Sequence, residues 1–325
     1  MAKILIIGGG GMVGQKFAAS LADKPLAGPG DQITLFDLEF QPGGAPADHR
    51  ITGNLTDPQS VKSLIDNRPD IIFHLASIVS GEAEFNFDLG WNVNGHAFWA
   101  FLEILRAEHI ASGETWSPRL IFTSSIAVFG APYPNRIGDE FLAAPQTSYG
   151  AQKAISELLI SDFSRKGVID GLSIRLPTIC VRPGKANKAA SSFFSGIIRE
   201  PLNGVEAPLP VPADVRHWHA SPRSAAGFLR HAGTLDLDRI GTRRALNLPG
   251  VSCTVEEQIE ALRDIAGNDV VALIRPEPDE TIMRIVQGWP RNFAPERAIE
   301  LGFYADNDFH AIIQTYIDDD LPRQC

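Results

Sequence analysis

Tyr149 and Lys153 stand four residues apart in Tyr149-Gly150-Ala151-Gln152-Lys153. On a helix that spacing sets a phenol and an ammonium on one face. An isolated tyrosine, with a pKa near ~10, is a poor base at neutral pH. A neighbouring ammonium favours the phenolate and brings the pair toward general-base work. The pattern is short, and most such pairs merely decorate a helix surface. A hydroxyl sharpens it. Thr123-Ser124-Ser125 closes an apolar run, with Ser125 24 residues before the tyrosine. A serine there can hold a substrate oxygen while the tyrosine takes its proton. Tyr149, Lys153 and a hydroxyl of Thr123-Ser124-Ser125 are the candidate catalytic groups.

A second constellation opens the chain. Ile6-Ile7-Gly8-Gly9-Gly10-Gly11-Met12-Val13-Gly14 places glycines at 8, 11 and 14, between an apolar run and an amphipathic stretch. GxxGxxG in a strand–turn–helix context is a variant of the dinucleotide fingerprint. The first glycine allows the tight turn, the second admits the pyrophosphate, and the third lets helix and strand pack closely. The helix N-terminus adds unpaired N–H groups and partial positive charge. Gly8, Gly11, Met12, Val13 and Gly14 are therefore candidate cofactor contacts. Asp37 follows Gly14 by 23 residues and ends the second apolar run. A carboxylate there accepts from both ribose hydroxyls of NAD and repels the 2′-phosphate of NADP, so NAD is the expected cofactor.

Alternating elements must position these groups. Ile4–Ile7, Ile33–Phe36, Ile71–Leu75, Leu120–Thr123 and Leu172–Leu176 read as buried strands. Met12–Ala22, Pro58–Asp66, Phe87–Glu108 and Ser148–Lys166 read as the helices between them. Strict alternation implies an α/β fold, a doubly wound parallel sheet of Rossmann type whose ligand crevice lies at the strands' carboxyl ends. From Arg182 to His219 the chain turns rich in Pro, Gly and Arg. The expected organisation is a cofactor domain over 1–180 and a smaller substrate-binding region over 181–325, some segments of which return to the first domain. Further helices are expected at Pro222–His231, Thr254–Ala266, Ala294–Leu301 and Phe309–Ile317, and a strand at Ala245–Leu248. The last residues, from Leu321, are expected to fray.

Composition narrows the partners. The 325 residues carry a formal charge of −10 and no basic block, which argues against nucleic acid or an anionic membrane surface. Cys180, Cys253 and Cys325 lie far apart, so neither a disulfide frame nor a zinc site is encoded. His217 and His219 lack a third ligand at useful spacing, and no metal is expected. No apolar run reaches the roughly 18 residues of a membrane helix, and no signal segment is read at the N-terminus. A cytoplasmic protein is expected.

With these motifs in order, the chain resembles the extended short-chain dehydrogenase/reductase superfamily over most of its length, most strongly from residue 1 to about 180. The likeness rests on Gly8–Gly14, Asp37, Gly53-Asn54-Leu55-Thr56-Asp57, His74-Leu75-Ala76-Ser77, Asn92-Val93-Asn94-Gly95, Ser124–Gly130 and the Tyr149/Lys153 pair. The resemblance implies Tyr149 as proton acceptor, Lys153 on the nicotinamide ribose and Ser125 on the reacting oxygen. It also implies Asn54 and Leu55 at the adenine, Leu75, Ala76 and Ser77 along ribose and pyrophosphate, and Asn92 and Pro177 as further cofactor contacts. Two positions depart from the family. Asn54 replaces an aspartate and keeps a carbonyl acceptor; Phe129 replaces a tyrosine and is expected to pack. The resemblance further implies a homodimer through the helices near Phe87–Glu108 and Ser148–Lys166. Phe98, Trp99, Phe101, Leu102 and Leu105 give the first of these more apolar surface than one sheet face is expected to absorb.

The resemblance also bears on the reaction. Dehydratases of the superfamily carry acidic residues where this chain has Ile126 and Ala127, and neither can serve elimination of water. Nucleotide-sugar enzymes place an asparagine where Thr178 follows Arg175-Leu176-Pro177. Arg182 and Arg216 are expected to form a cationic rim suited to a small carboxylate. Thr178, Arg182 and Arg216 join Ser125 and Tyr149 as candidate substrate contacts. Asn247-Leu248-Pro249-Gly250, Gly288-Trp289-Pro290 and Arg297–Phe303 resemble a group that oxidises the C2 hydroxyl of a four-carbon sugar acid, D-erythronate foremost. An NAD-dependent dehydrogenase of a small anionic hydroxy acid therefore leads. A nucleotide-sugar 4-epimerase with tightly held NAD is the alternative, and a redox-dead binding protein is third.

Overall fold

Seven strands form one sheet in the computed structural model, which describes residues 1–184 and 190–321. They are β1 (Lys3–Ile7), β2 (Gln32–Asp37), β3 (His49–Thr52), β4 (Ile71–His74), β5 (Arg119–Ser125), β6 (Asp170–Leu176) and β7 (Ala245–Asn247). All pairings are parallel, in the order β7-β6-β5-β4-β1-β2-β3. The doubly wound α/β expectation holds.

Alternation along β1 shows why both faces are covered. Leu5 and Ile7 point into one core with Ile72, Leu120 and Phe122. That core takes Val61 and Leu64 from the Pro58–Ile65 helix, together with Phe98, Phe101, Leu102 and Leu105 from Phe98–Ala111 and Ile160 from Ser148–Arg165. On the other face Phe73 meets Phe17 of the Met12–Asp23 helix, ring centres 4.5 Å apart. Each such buried side chain contributes about 1.5–3 kcal/mol. We label the Met12–Asp23, Pro58–Ile65, Phe98–Ala111 and Ser148–Arg165 helices α1 to α4.

Two expectations need correction. The helix anticipated over Phe87–Glu108 is broken by a π-helical turn at Trp91–Ala97, between a short turn at Phe87–Gly90 and α3. Asn94 within that turn is buried and bonded to neighbouring segments, which holds the widened winding in place. The apolar surplus expected on α3 is also mostly absorbed. Phe98, Phe101, Leu102 and Leu105 are at most 2% exposed, and Trp99 alone of the five is open, at 48%.

The chain forms two compact units. The first comprises Met1–Val128, Pro145–Leu176 and Ala226–Asn247, and the second Phe129–Ala144, Pro177–Ala225 and Leu248–Cys325. The second has its own core, in which Phe194, Ile197 and Ile198 of the Ser192–Leu202 helix meet Val255, Leu262, Ile312 and Ile313. Its strands are short: Arg216–Ala220 pairs with Val251–Thr254 and Thr178–Ile179. Phe129 packs there against Phe141 and Phe293, as expected of a residue without a hydroxyl. Cys180 and Cys253 are free and buried. The anticipated fraying past Leu321 lies outside the described residues, as does Cys325. No helix among the described residues is long and apolar enough to cross a membrane.

Candidate active site

The glycine turn is shaped by what lies against it. Ile7 ends β1, and its carbonyl accepts from the N–H groups of Leu75 and Ala76 just past β4. Gly8 sits there at φ +88°, and a Cβ would come within 2.5 Å of the Ala76 nitrogen. Neither the angle nor the space suits another residue. Helix α1 then begins after Gly11 with no side-chain cap and no acidic residue in its first turn. The helices that start at Pro58, Ser148 and Val255 are instead capped by Asp57, Thr147 and Thr254. An uncapped N-terminus behind a glycine turn leaves the first-turn N–H groups, Met12 and Val13 among them, to an anion. The residues present therefore fit a dinucleotide.

Asp37 closes β2 beside this turn. Its Oδ2 accepts the Gly10 N–H at 2.8 Å and its Oδ1 the Leu38 N–H at 2.7 Å. Asn54 is exposed, and its Oδ1 shapes the turn into α2 by accepting from Thr56 N–H at 3.0 Å. Leu55 is half-buried and packs on the core. Ser77 Oγ donates to Asn94 Oδ1 at 3.0 Å, whereas Asn92 is exposed on the π-helical turn.

Helix α4 brings the phenol and the lysine beside the end of β5. Thr147 caps it through the Gly150 N–H. A Cβ on Gly150 would strike the Ala127 carbonyl and lie 2.9 Å from Pro145, so this helix approaches the segment after Ser125 more closely than a larger residue allows. Lys153 is 3% exposed, donates to the Thr123 carbonyl at 2.9 Å, and sits 5.6 Å from the Tyr149 ring centre. Burial pulls its pKa down to about 7, against the opposing pull of Glu157. Tyr149 and Ser125 are half-buried, and Ser125 Oγ accepts the Ala127 N–H at 3.1 Å. Thus one strand end carries the hydroxyl and the lysine's anchor, and one helix carries phenol and lysine. A proton can be taken there from an alcohol held at Ser125.

In the second unit the candidate substrate residues are already engaged. Pro177 is buried. Thr178 Oγ1 lies 2.7 Å from His217 Nε2, whose Nδ1 is 2.9 Å from the Pro290 carbonyl. A carbonyl only accepts, so Nδ1 carries the proton and Thr178 donates to Nε2. Burial holds His217 down at about 4 and His219 well below its ordinary value, so both rings are neutral. Arg182 donates to the Ile179 carbonyl at 2.9 Å and to Ser191 Oγ at 3.2 Å. Arg216 donates to the Ser252 carbonyl at 3.0 Å and to Glu257 at 3.1 Å. The two guanidiniums are thus fixed by different segments. Among the described residues no group of three or more His, Cys, Asp or Glu could hold a metal.

Sequence reasoning passed over several polar residues that the fold buries around the site. Asn94 bridges Ile78 and Gln152, donating to Gln152 Oε1 at 2.7 Å. Glu157, 5% exposed, bonds Ser124 and Arg175. Their only signal in the sequence is position: Asn94 lies in Asn92-Val93-Asn94-Gly95, and Glu157 follows Lys153 by one helical turn.

The sequence profile described as the NAD dependent epimerase/dehydratase family matches residues 4–219. A D-erythronate dehydrogenase of Cupriavidus necator is 45% identical over 324 residues, covering 98% of each chain. That of Haemophilus influenzae is 40% identical over 321 residues, covering 98% of this chain and all of its own. The crystal structure of a nucleoside-diphosphate-sugar epimerase from Agrobacterium tumefaciens is 53% identical, with 98% of this chain and 94% of that one covered, and superposes with a TM-score of 0.93.

Proposed function

We propose that this chain, which belongs to the NAD dependent epimerase/dehydratase family, oxidises the C2 hydroxyl of a small sugar acid, D-erythronate to 2-dehydro-D-erythronate. The observation that carries the reading is near full-length likeness to two D-erythronate dehydrogenases, supported by a Lys153 that lies beside the Tyr149 ring and bonds the carbonyl of Thr123, two residues before Ser125. The first unit serves as the cofactor-binding domain and the second as the substrate-binding region.

Bound NAD supplies the hydride acceptor. Gly8, Gly11, Met12, Val13 and Gly14 hold its pyrophosphate, Asp37 the adenine-side ribose, and Asn54 and Leu55 the adenine. Leu75, Ala76, Ser77, Asn92 and Pro177 line its remaining length, and Lys153 holds the nicotinamide ribose. Ser125 Oγ, fixed by the Ala127 N–H, orients the C2 hydroxyl, and Tyr149 takes its proton. Thr178, Arg182 and Arg216 are the substrate contacts, the guanidiniums suiting a carboxylate.

The protein acts as a cytoplasmic homodimer on this reading. Trp99 of α3 and Ile155 and Leu158 of α4 are 48%, 42% and 72% exposed, apolar side chains of the first unit that a second copy would cover. Sedimentation should give a dimer at micromolar concentration, and Leu158→Glu a monomer.

The likeness to the nucleoside-diphosphate-sugar epimerase of Agrobacterium favours one other reading, a nucleotide-sugar 4-epimerase with tightly bound NAD. Purified protein with excess NAD should reduce it when given D-erythronate and leave UDP-glucose and UDP-galactose unchanged. Epimerised UDP-sugars with no oxidised acid would reverse the assignment.

A further inference from the structure

The carboxyl end of β5 is tied to α4 at two adjacent residues. Thr123 offers its carbonyl to Lys153 Nζ at 2.9 Å, and Ser124 Oγ donates to Glu157 Oε1 at 2.5 Å. Ser125 is the next residue. Glu157 stands one turn beyond Lys153, and a third element claims it. Arg175 of β6 donates through Nε and Nη2 to the two carboxylate oxygens, at 2.9 and 2.7 Å, and through Nη1 to Asn247 of β7 at 3.1 Å. Charges of alternating sign therefore run from Lys153 through Glu157 to Arg175.

We propose that Glu157 and Arg175 are positioning residues: Glu157 locks Ser124-Ser125 to the helix of Tyr149 and Lys153, and Arg175, paired with that carboxylate, offsets the charge it presents to Lys153. This rests on the reading of Tyr149 as base with Lys153 as its partner. A bidentate guanidinium–carboxylate pair is the strongest hydrogen-bonded contact open to Glu157. Lys153 is left with a neutral carbonyl and the Phe122 ring, 4.5 Å from Nζ. The titratable groups facing it are His74 from β4, and Tyr149 and Glu157 from its own helix. Burial keeps His74 neutral, at about 3. Glu157 is thus the carboxylate among them, and its pull on the lysine's proton opposes the larger effect of burial. With Arg175 holding it, that proton stays exchangeable near neutral pH, where the phenol must be discharged and recharged each turnover.

The two substitutions act in opposite directions, which a merely structural ion pair does not predict. Arg175→Met frees the carboxylate toward Lys153 and should raise the lysine's titration midpoint by about one pH unit. Glu157→Gln keeps the size and an acceptor for Ser124 but removes the charge, and should lower the midpoint. The double variant leaves no orphaned buried charge, so it should fold and titrate like Glu157→Gln. Lys153 is followed by the NMR signal of its ¹³C-labelled ε-carbon, assigned with Lys153→Arg, beside the pH profile of kcat. Ser124→Ala should cut kcat about tenfold through looser placement of Ser125, with the lysine midpoint unmoved. Shifts of one sign in both single variants, no shift in Glu157→Gln and the double variant, or unchanged kcat in Ser124→Ala would overturn the proposal. Wild-type turnover by Tyr149→Phe would instead remove the underlying reading and leave the lysine titrations as they stand.

Discussion

The two units place their candidate site residues by different means. In the first, strands of three to seven residues run parallel in one register, and Asp37, Ser125 and the Lys153 anchor all fall at strand carboxyl ends. In the second, strands are two to five residues long, and Thr178, Arg182 and Arg216 are held chiefly by hydrogen bonds to His217, Ile179, Ser191, Ser252 and Glu257. Backbone register fixes chemistry to within a pleat and resists single substitutions. Side-chain relays can be altered one residue at a time, as recognition requires. Changes in the first unit should therefore strike rate and cofactor, and changes in the second substrate use and stability.

The severest test of that division is Tyr149→Phe. It removes one hydroxyl from a half-buried ring, so folding and NAD binding should persist. Loss of a placed general base should lower kcat by about 10²–10⁴. Near-normal turnover would take the chemistry away from this helix.

Acid should part the units next. His217 and His219 of the second unit are buried and neutral, with His217 held at about 4. Each folded-state value lies below the unfolded one near ~6.5, so below that pH the unfolded chain binds protons that the native one refuses. Their contribution is intact above about 6.5 and is lost as pH falls toward 4, by about 1.4 kcal/mol per pH unit for each ring. The first unit carries His74, held at about 3 by burial and by Lys153. With two such rings against one, the second unit should open first. Fluorescence of Trp289, 5.1 Å from the His217 ring, should change before that of Trp116, which packs on the first unit's core. The reverse order, read in single-tryptophan variants, would dissolve this contrast.

The same difference governs what could be read from the sequence. β1, β4, β5 and β6 are apolar runs between turn residues, and the glycine turn and YxxxK carry their spacing openly. β3 was missed because its four residues are all exposed and no apolar pattern marks them. Thr178–Ile179 is too short to have a period. The helix at Ser192–Leu202 was hidden by Pro201, which sits in its last turn. Asn94 and Glu157 owe their burial to partners 16 to 58 and 18 to 33 residues away, which spacing cannot disclose. Phe98, Phe101, Leu102 and Leu105 of α3 go into this chain's own core, whose depth is not written locally.

Arg182→Ala and Arg216→Ala should separate recognition from cofactor binding. A charged hydrogen bond to a carboxylate is worth about 1.5–3 kcal/mol, or roughly 10- to 100-fold in kcat/KM. Whichever guanidinium meets the acid should show that loss for D-erythronate with KM for NAD unmoved. Arg216 also braces Glu257 of the Thr254 capping box, so its variant should melt earlier as well. Losses confined to NAD would contradict the division of labour.

The gentlest change is at Asp37, where one carboxylate has two duties. It braces the glycine turn through Gly10 and, on the proposed reading, receives the adenine-side ribose. Four lone-pair sites let it do both. Asp37→Ala abolishes both, so NAD should weaken through a looser turn as well as a lost contact. Asp37→Asn keeps a carbonyl oxygen for the Gly10 N–H and removes only the charge. The asparagine enzyme should thus retain more NAD affinity than the alanine enzyme, while both lose the repulsion of a 2′-phosphate. The preference for NAD over NADP, measured as the ratio of the two kcat/KM values, should narrow in both variants by several-fold to about tenfold. Equal NAD affinity in the two variants would show that the Gly10 contact contributes nothing. A wild-type enzyme that prefers NADP would show that the end of β2 does not read the ribose at all.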